Sequence, residues 1–484
     1  MIKYLIFSLI AAVICLSFVQ RRENDKVHTG NAIVGYSKIR LTDSVNAAIN
    51  YKKFCGSCHG EKMDAFVDRN WKYGSTGENL FKSIKQGYAD KGMPAFDTLM
   101  SDEQIVALSD YILGGIKRLK QYSFGGVPPT SNVFVSEEQD VKLDTIVKGI
   151  KSPWSITFLP SGELLMTEKS GKLYRVNKDK SMQLISGTPE VLAEGQGGLL
   201  DVVLHPDFKK NQLLYLSYSA FKKEGAVTVS TTAILCAKLS GDKLEDQKII
   251  FEALPYSKTR HHYGSRMVFG RDGFLYFSVG ERGNEKVNPQ SLTNDLGKIH
   301  RITESGGIPA DNPFVHTDGV KPSIFSYGNR NPQGLLLNPT SGAIWEHEHG
   351  PRGGDEINII GAGKNYGWPV ISYGINYDNK IISNKTAMEG MEQPFLYWIP
   401  SIAPSGMAFV ESNRYKGWKG DLMVGSLRFK YLNRCKIKNG KVVGEELLLK
   451  NIGRVRDVVM GPDGYLYVSV ENPGFVFKLL PVSK

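Results

Sequence analysis

Cys55-Gly56-Ser57-Cys58-His59 places two thiols three residues apart with an imidazole directly after them. Each thiol can form a thioether to a haem vinyl group, and His59 then sits beneath the iron. A redox dithiol or half of a zinc site would share the Cys-x-x-Cys spacing. No second Cys pair is present to complete a zinc cluster. Covalent haem c, held by Cys55 and Cys58 with His59 as iron ligand, is the expectation. It implies one-electron transfer, so the rest of the chain should produce or consume electrons.

The iron also needs a ligand opposite His59. Met63, Met93 and Met100 follow within reach, and Met63 is too close in sequence to wrap to the far face. Residues 44–120 resemble a small mono-haem cytochrome c. In such proteins a Gly-Met-Pro loop before the last helix supplies the second ligand, as Gly92-Met93-Pro94 would here. Met93 could otherwise simply fill the core. Three helices must position these groups. Val45, Ala48, Ile49 and Phe54 form a stripe leading into the haem motif. Leu80 and Ile84 mark a second helix stopped at Gly87. Ser101-Asp102-Glu103-Gln104 is a capping box opening a third, with Ile105, Leu108, Ile112 and Ile116 on one face.

The 484 residues exceed one ordinary domain, and 41% hydrophobic with 23% charged residues marks a globular chain. Met1-Ile2-Lys3, an apolar run over 4–19 and Arg21-Arg22 read as a signal peptide or N-terminal anchor over 1–22. The run is short for a full span. The chain is therefore expected to be exported and periplasmic, with a possible membrane tether. Of 5 Cys, Cys15 lies in the leader, and Cys236 and Cys435 are either buried thiols or a bridge. A net charge of +11 spread without basic blocks argues against nucleic acid and suits an anionic partner. Residues 121–140, with Gly125-Gly126, Pro128-Pro129 and Glu137-Glu138, read as a linker.

From 141 to 484 one phrase recurs. Leu159-Pro160-Ser161-Gly162-Glu163-Leu164 is echoed by Gly270-Arg271-Asp272-Gly273-Phe274-Leu275, Asn338-Pro339-Thr340-Ser341-Gly342 and Gly461-Pro462-Asp463-Gly464-Tyr465-Leu466. His205-Pro206-Asp207 and Gly420-Asp421-Leu422 are weaker copies. Each is a turn followed by a strand, and six copies predict six propeller blades. The fold class expected is an all-β six-bladed propeller with a small all-α N-terminal cytochrome c domain.

Between the repeats stand Gly195-Gln196-Gly197-Gly198-Leu199, His262-Tyr263-Gly264-Ser265-Arg266, Gly328-Asn329-Arg330-Asn331-Pro332-Gln333 and Glu348-His349-Gly350-Pro351. Gly353-Gly354-Asp355-Glu356-Ile357-Asn358, Asn365-Tyr366-Gly367-Trp368-Pro369 and Gly453-Arg454-Val455-Arg456-Asp457 follow. In this order they resemble the soluble PQQ-dependent aldose sugar dehydrogenases, the glucose/sorbosone dehydrogenase family. The resemblance implies PQQ and calcium as cofactors and His262 as the base for the anomeric hydroxyl. It leaves the role of His261 open, because some members carry Asp there. Arg330 and Asn331 match residues at the quinone, Arg330 polarising the carbonyl that receives hydride. Arg454 and Arg456 match residues for the PQQ carboxylates, which bidentate guanidinium groups suit. Arg428 falls where some relatives have Lys, and Pro404 and Ser405 fall in a loosely aligned stretch of pocket lining. Gly350 and Pro351 match carbonyl ligands of the PQQ calcium. Glu356 and the Tyr366 carbonyl match a second calcium. Gln196 and Tyr377 match substrate-side residues.

The activity implied is oxidation of an aldose at C1 to the lactone. Electrons would pass to the fused haem and on to an external acceptor such as a soluble cytochrome or respiratory-chain component. Three rivals remain: a PQQ-dependent dehydrogenase of a non-sugar alcohol or aldehyde, a calcium lactonase on the same scaffold, and a binding propeller with an electron carrier.

Overall fold

The computed structural model describes residues 41–55, 59, 71, 73–89, 93–118, 127–283, 287–377 and 380–483. The leader, Cys15, Cys58 and Met63 lie outside them.

The helical unit begins with α1, Leu41–Asn50, which runs on into a wider π-type turn at Tyr51–Cys55. Its buried face is Ala47, Tyr51 and Cys55, four residues apart; of the expected stripe Phe54 packs against the same cluster, Ala48 is half-buried, and the Val45 side chain lies outside the described residues. Ile49 from that stripe is 58% exposed. The Tyr51 ring meets Tyr111 at 5.9 Å, and this contact fixes which face turns inward. Helix α2, Gly77–Gln86, is capped by Thr76, which accepts the Asn79 N–H at 3.2 Å, and stops at Gly87 as expected. Helix α3 is Asp102–Arg118. Its capping box forms: Gln104 N–H donates to Ser101 Oγ at 3.3 Å and Ser101 N–H to Gln104 Oε1 at 2.9 Å. Ile105, Leu108 and Ile112 are buried against α1 and α2.

The rest of the chain forms six antiparallel sheets, five of four strands and one of five. Blades 1 to 5 are consecutive in sequence. Their first strands are Pro153–Phe158, Leu199–Leu204, Met267–Phe269, Pro332–Leu337 and Pro404–Phe409. Blade 6 closes the ring from both ends of the domain. Arg454–Met460, Leu466–Glu471 and Phe475–Pro481 supply its inner strands, and Val141–Lys148 and Val133–Phe134 supply the outer two.

The repeated phrase is the connection from first to second strand in every blade. Its glycines, Gly162, Gly273, Gly342 and Gly464, all hold φ between 76° and 93°, which a side chain would strain. Blade interfaces are apolar. Leu165, Leu173, Leu199, Leu214 and Leu235 pack between blades 1 and 2, and Trp345, Met407, Phe409 and Leu422 between blades 4 and 5. Cys236 and Cys435 sit in blades 2 and 5, and neither forms a disulfide.

Part of the segment read as a linker belongs to the propeller. Beyond the edge strand Val133–Phe134, Glu138 and Glu137 reach across to blade 5. Arg434, almost fully buried, pairs with Asp421 at 2.7 Å, with Glu446 at 2.9 Å and with Glu138. Glu137 pairs with Lys436. The two acids fell within the linker reading because their partners lie about 300 residues away in sequence.

Lys298 is buried in blade 3 and donates to the carbonyls of Asn288, Pro289 and Leu296 at 2.7, 3.1 and 2.6 Å. Burial lowers its pKa from 10.5 to about 7, partly offset by Asp295. The unfolded chain therefore binds an extra proton between about pH 7 and 10.5, and stability should rise with pH across that window. Urea unfolding at pH 7 and pH 10 is expected to show a gain of a few kcal/mol, largely abolished in Lys298→Met.

Candidate active site

Two ends of the blade strands meet at one face: the starts of first strands and the ends of second strands. His262 lies just before the first strand of blade 3, in the left-handed region at φ 52°. Gly280 makes this approach possible, since a Cβ there would stand 2.2 Å from the His262 carbonyl oxygen. The close contact brings Glu281, two residues beyond the second strand Leu275–Val279, beside the imidazole. His262 Nδ1 lies 2.8 Å from Glu281 Oε1, and Glu281 is fully buried. The His262 backbone N–H donates to Gln196 Oε1 at 2.7 Å. Burial holds His262 well below its ordinary pKa, helped by repulsion from Arg330, His261 and Arg282. The imidazole is thus neutral. With Nδ1–H given to Glu281, Nε2 is the proton acceptor.

Arg330 precedes the first strand of blade 4. Its Nη1 donates to the His349 carbonyl at 2.8 Å, and its Nε lies 4.0 Å from Glu281 Oε1. Its guanidinium carbon stands 5.3 Å from the Trp368 ring centre. Asn331 is buried. Its Oδ1 accepts the Gly264 N–H at 3.2 Å, and its Nδ2 has no partner among the described residues. Arg454 and Arg456 open the first strand of blade 6 and both reach Glu471, at 3.2 and 2.7 Å. They point to the same side, as alternate residues of a strand do. Arg428 donates to the Ser401 carbonyl at 3.2 Å. These cations and the unspent Asn331 amide fit a planar tricarboxylate such as PQQ.

The floor beneath is ionic. Arg266 is buried and pairs with Asp201 at 3.2 Å and Asp457 at 2.9 Å. Its Nε donates to the Gln333 carbonyl at 3.1 Å, and it stacks 4.3 Å from the Trp154 ring centre. One guanidinium thereby joins blades 1, 2, 3, 4 and 6. Burial pushes the Asp457 carboxyl up, against the pull of Arg266.

Beside Arg330 a small enclosed cavity is lined by Glu348, Gly350, Gly354, Glu356, Tyr366 and Trp368. Glu346 and Glu348 alternate on the strand Ile344–Glu348, and Glu356 sits opposite Glu348 on Asp355–Ile360. Burial and mutual repulsion hold Glu346 and Glu356 well above the ordinary carboxylate range. Burial raises Glu348 to about 7, and Asp355 to about 6. One Glu346 oxygen has no partner among the described residues. Buried carboxylates short of counter-charge fit a hard cation. Among the described residues no three His, Cys, Asp or Glu side chains form a ready metal cage. Calcium in this region would take backbone carbonyls for much of its shell, those of Gly350 and Pro351 for one ion and that of Tyr366 beside Glu356 for a second.

Gln196, His262, Arg330, Asn331, Arg454 and Arg456 are thus linked by direct contacts or through Glu281, Gln333 and Glu471, Arg456 donating to Gln333 Oε1 at 3.3 Å. Pro404 is present through its carbonyl, 2.5 Å from His349 Nε2. Ser405 is fully buried with its hydroxyl spent on the Val455 carbonyl at 2.7 Å, so it stands behind the lining. Tyr377 is 70% exposed on a loop and His261 is exposed at the mouth. Glu281 and Glu471 did not emerge from the sequence. Glu471 ends its second strand as Glu168 and Glu348 end theirs, and that shared place was the available signal for it; Glu281 lies two residues beyond the end of Leu275–Val279 and had none.

In the helical unit, Cys55 is buried and Met93 packs into the same cluster, with Phe54, Trp71, Phe96 and Met100. Tyr88 and Met93 exchange backbone hydrogen bonds at 2.7 and 3.1 Å, which fixes the Met93 loop against α2. His59 is half-buried and accepts at its carbonyl from Tyr51 Oη at 3.4 Å. An apolar cluster holding a thiol and a thioether fits haem c. Cys58 lies outside the described residues.

Residues 150–478 match the Glucose / Sorbosone dehydrogenase family, and residues 46–112 match the family described as Cytochrome C oxidase, cbb3-type, subunit III. The aldose sugar dehydrogenase YliI of Escherichia coli is 42% identical over 362 residues, covering 73% of this chain and 94% of that protein. A solved glucose dehydrogenase is 43% identical with a TM-score of 0.67, over 71% of this chain and 100% of the other. The PQQ-bound form of aldose sugar dehydrogenase from Streptomyces coelicolor is 28% identical with a TM-score of 0.59, over 74% and 100%. Fold, site and relatives define an oxidoreductase of the sugar dehydrogenase class. More particularly, the chain belongs to the glucose/sorbosone dehydrogenase family and carries a cytochrome c domain on its N-terminal side.

Proposed function

We propose that the protein oxidises an aldose at C1 to the lactone with PQQ, on the periplasmic side of the membrane, and delivers the electrons to its own haem c and then to an external carrier. The observation that carries this reading is the buried His262–Glu281 pair set 4.0 Å from Arg330 through the shared carboxylate. PQQ, when bound, supplies the hydride acceptor, and haem c supplies a one-electron outlet. Arg330, Asn331, Arg428, Arg454 and Arg456 would hold the PQQ. Carbonyls of Gly350 and Pro351 would hold one calcium, and Glu356 with the Tyr366 carbonyl a second.

The chain's own part is proton handling and orientation. His262 Nε2 takes the C1 hydroxyl proton, and the buried Glu281 carboxylate stabilises the imidazolium that results. Gln196 holds the His262 backbone and Glu281 holds the ring, which together keep the imidazole in place. Arg330 adds positive charge where negative charge develops. Fusion makes the onward electron transfer intramolecular.

The test is the visible spectrum of oxidised enzyme, reconstituted with PQQ and Ca²⁺, before and after a panel of aldoses. Reduced-haem bands appearing only with sugar and PQQ are expected. Dye reduction without haem reduction would leave a dehydrogenase but remove the internal route. Silence in both readouts would remove the sugar reading.

A further inference from the structure

Lys169 follows the second strand of blade 1, Leu164–Glu168, at the same face as the site. Its backbone is fixed on both sides. The N–H donates to the Ser152 carbonyl at 3.1 Å, and the carbonyl accepts the Leu199 N–H at 3.2 Å. Its Nζ donates to the Gly195 carbonyl. The next residue is Gln196, whose N–H donates to the Arg260 carbonyl at 2.8 Å and whose Oε1 receives the His262 N–H. The ammonium is therefore one peptide away from the anchor of the imidazole.

A half-buried ammonium ordinarily takes a carboxylate partner. Here the neighbouring anion is Glu471, already shared by Arg454 and Arg456. Burial and repulsion from those two guanidiniums hold Lys169 below its ordinary pKa, while Glu471 opposes them. Lys169, Arg454 and Arg456 thus all feel the one carboxylate of Glu471, and only the two arginines pair with it.

We propose that Lys169 is a further cation for the carboxylates of PQQ and, through Gly195 and Gln196, a positioning residue for His262. The inference rests on the PQQ reading above. It makes cofactor binding and alignment of the imidazole parts of one linkage, with the ammonium facing the cofactor and the Gly195 carbonyl at once.

The experiment is equilibrium titration of the full-length apoenzyme with PQQ at fixed Ca²⁺, followed by quenching of protein fluorescence at several salt concentrations. Lys169→Met is expected to weaken PQQ binding about 10- to 100-fold, the span of a lost charge-assisted hydrogen bond. It should also flatten the dependence of affinity on salt. At saturating PQQ its kcat should fall about 10-fold. Lys169→Arg should recover the affinity and the salt dependence. Wild-type affinity and salt dependence in Lys169→Met would overturn the inference. So would a loss that Lys169→Arg does not recover, which would assign Lys169 to local folding only. Wild-type enzyme that takes up no PQQ would overturn the cofactor reading, and this inference with it.

Discussion

His262→Gln is expected to lower sugar-dependent turnover by about 10²- to 10⁴-fold, the usual contribution of a positioned general base. The dithionite-reduced haem spectrum should not change. Glutamine can keep the contact to Glu281 but has no nitrogen that can accept the hydroxyl proton. Glu281→Gln should have a smaller effect in the same direction. Without the carboxylate, the imidazolium loses its counter-charge and the imidazole becomes a weaker base. The pH dependence follows from the same contacts. Burial already holds His262 well below 6.5, so the acid limb of wild-type turnover should lie below pH 6.5. In Glu281→Gln it should move lower still. Stopped-flow haem reduction at saturating sugar between pH 4 and 8 reads both effects. Near-wild-type rates in His262→Gln would end the assignment of the base.

The second large effect is on stability. Arg266→Met should cost about 3–5 kcal/mol, the range for breaking a buried ion pair by removing one partner. The methionine fills much of the volume but leaves Asp201 and Asp457 facing each other without a cation. Burial already raises the Asp457 carboxyl in the intact protein, and in the variant, without the pull of Arg266, its folded-state value should climb further. A carboxyl raised on folding favours the folded state once protonated, so its penalty shrinks as pH falls through the raised value. The deficit of Arg266→Met should therefore be largest near pH 7 and smaller near pH 5. Urea unfolding followed by tryptophan fluorescence at the two pH values checks this. Arg266→Met/Asp457→Asn should recover part of the loss, because it removes one stranded charge.

The architecture was legible because its signal is local. Four of the six first-to-second strand connections turn on a glycine with positive φ in the same phrase, around Gly162, Gly273, Gly342 and Gly464. Those turns lie at the end of the strands away from the chemistry. The site uses the other ends, where the blades differ, so the repeat carries no information about it. His262, Arg330, Arg454 and Arg456 were found through ordered phrases shared with a family. Glu281 was not, because a Glu-Arg-Gly after a short strand reads as a solvated turn. Only the backbone approach of Gly280 to His262 shows otherwise. The first helix was only partly legible for a related reason. Ala48 and Ile49 look more apolar as a stripe than Ala47, but the Tyr51–Tyr111 contact sets the rotation, and a contact 60 residues away has no periodicity.

Blade 6 joins strands from the two ends of the domain, with Val141–Lys148 paired to Phe475–Pro481. This sets an order of events during synthesis. The helical haem-binding segment and five blades emerge while the ring is still open and Val141–Lys148 has an unmet edge. Only the last strands complete it. Without Phe475–Pro481 the edge of Val141–Lys148 stays unpaired, and an open strand edge is a template for pairing with another chain. Closure therefore depends on strands from both ends of the domain, and the closing blade is the one that carries Arg454, Arg456 and Glu471.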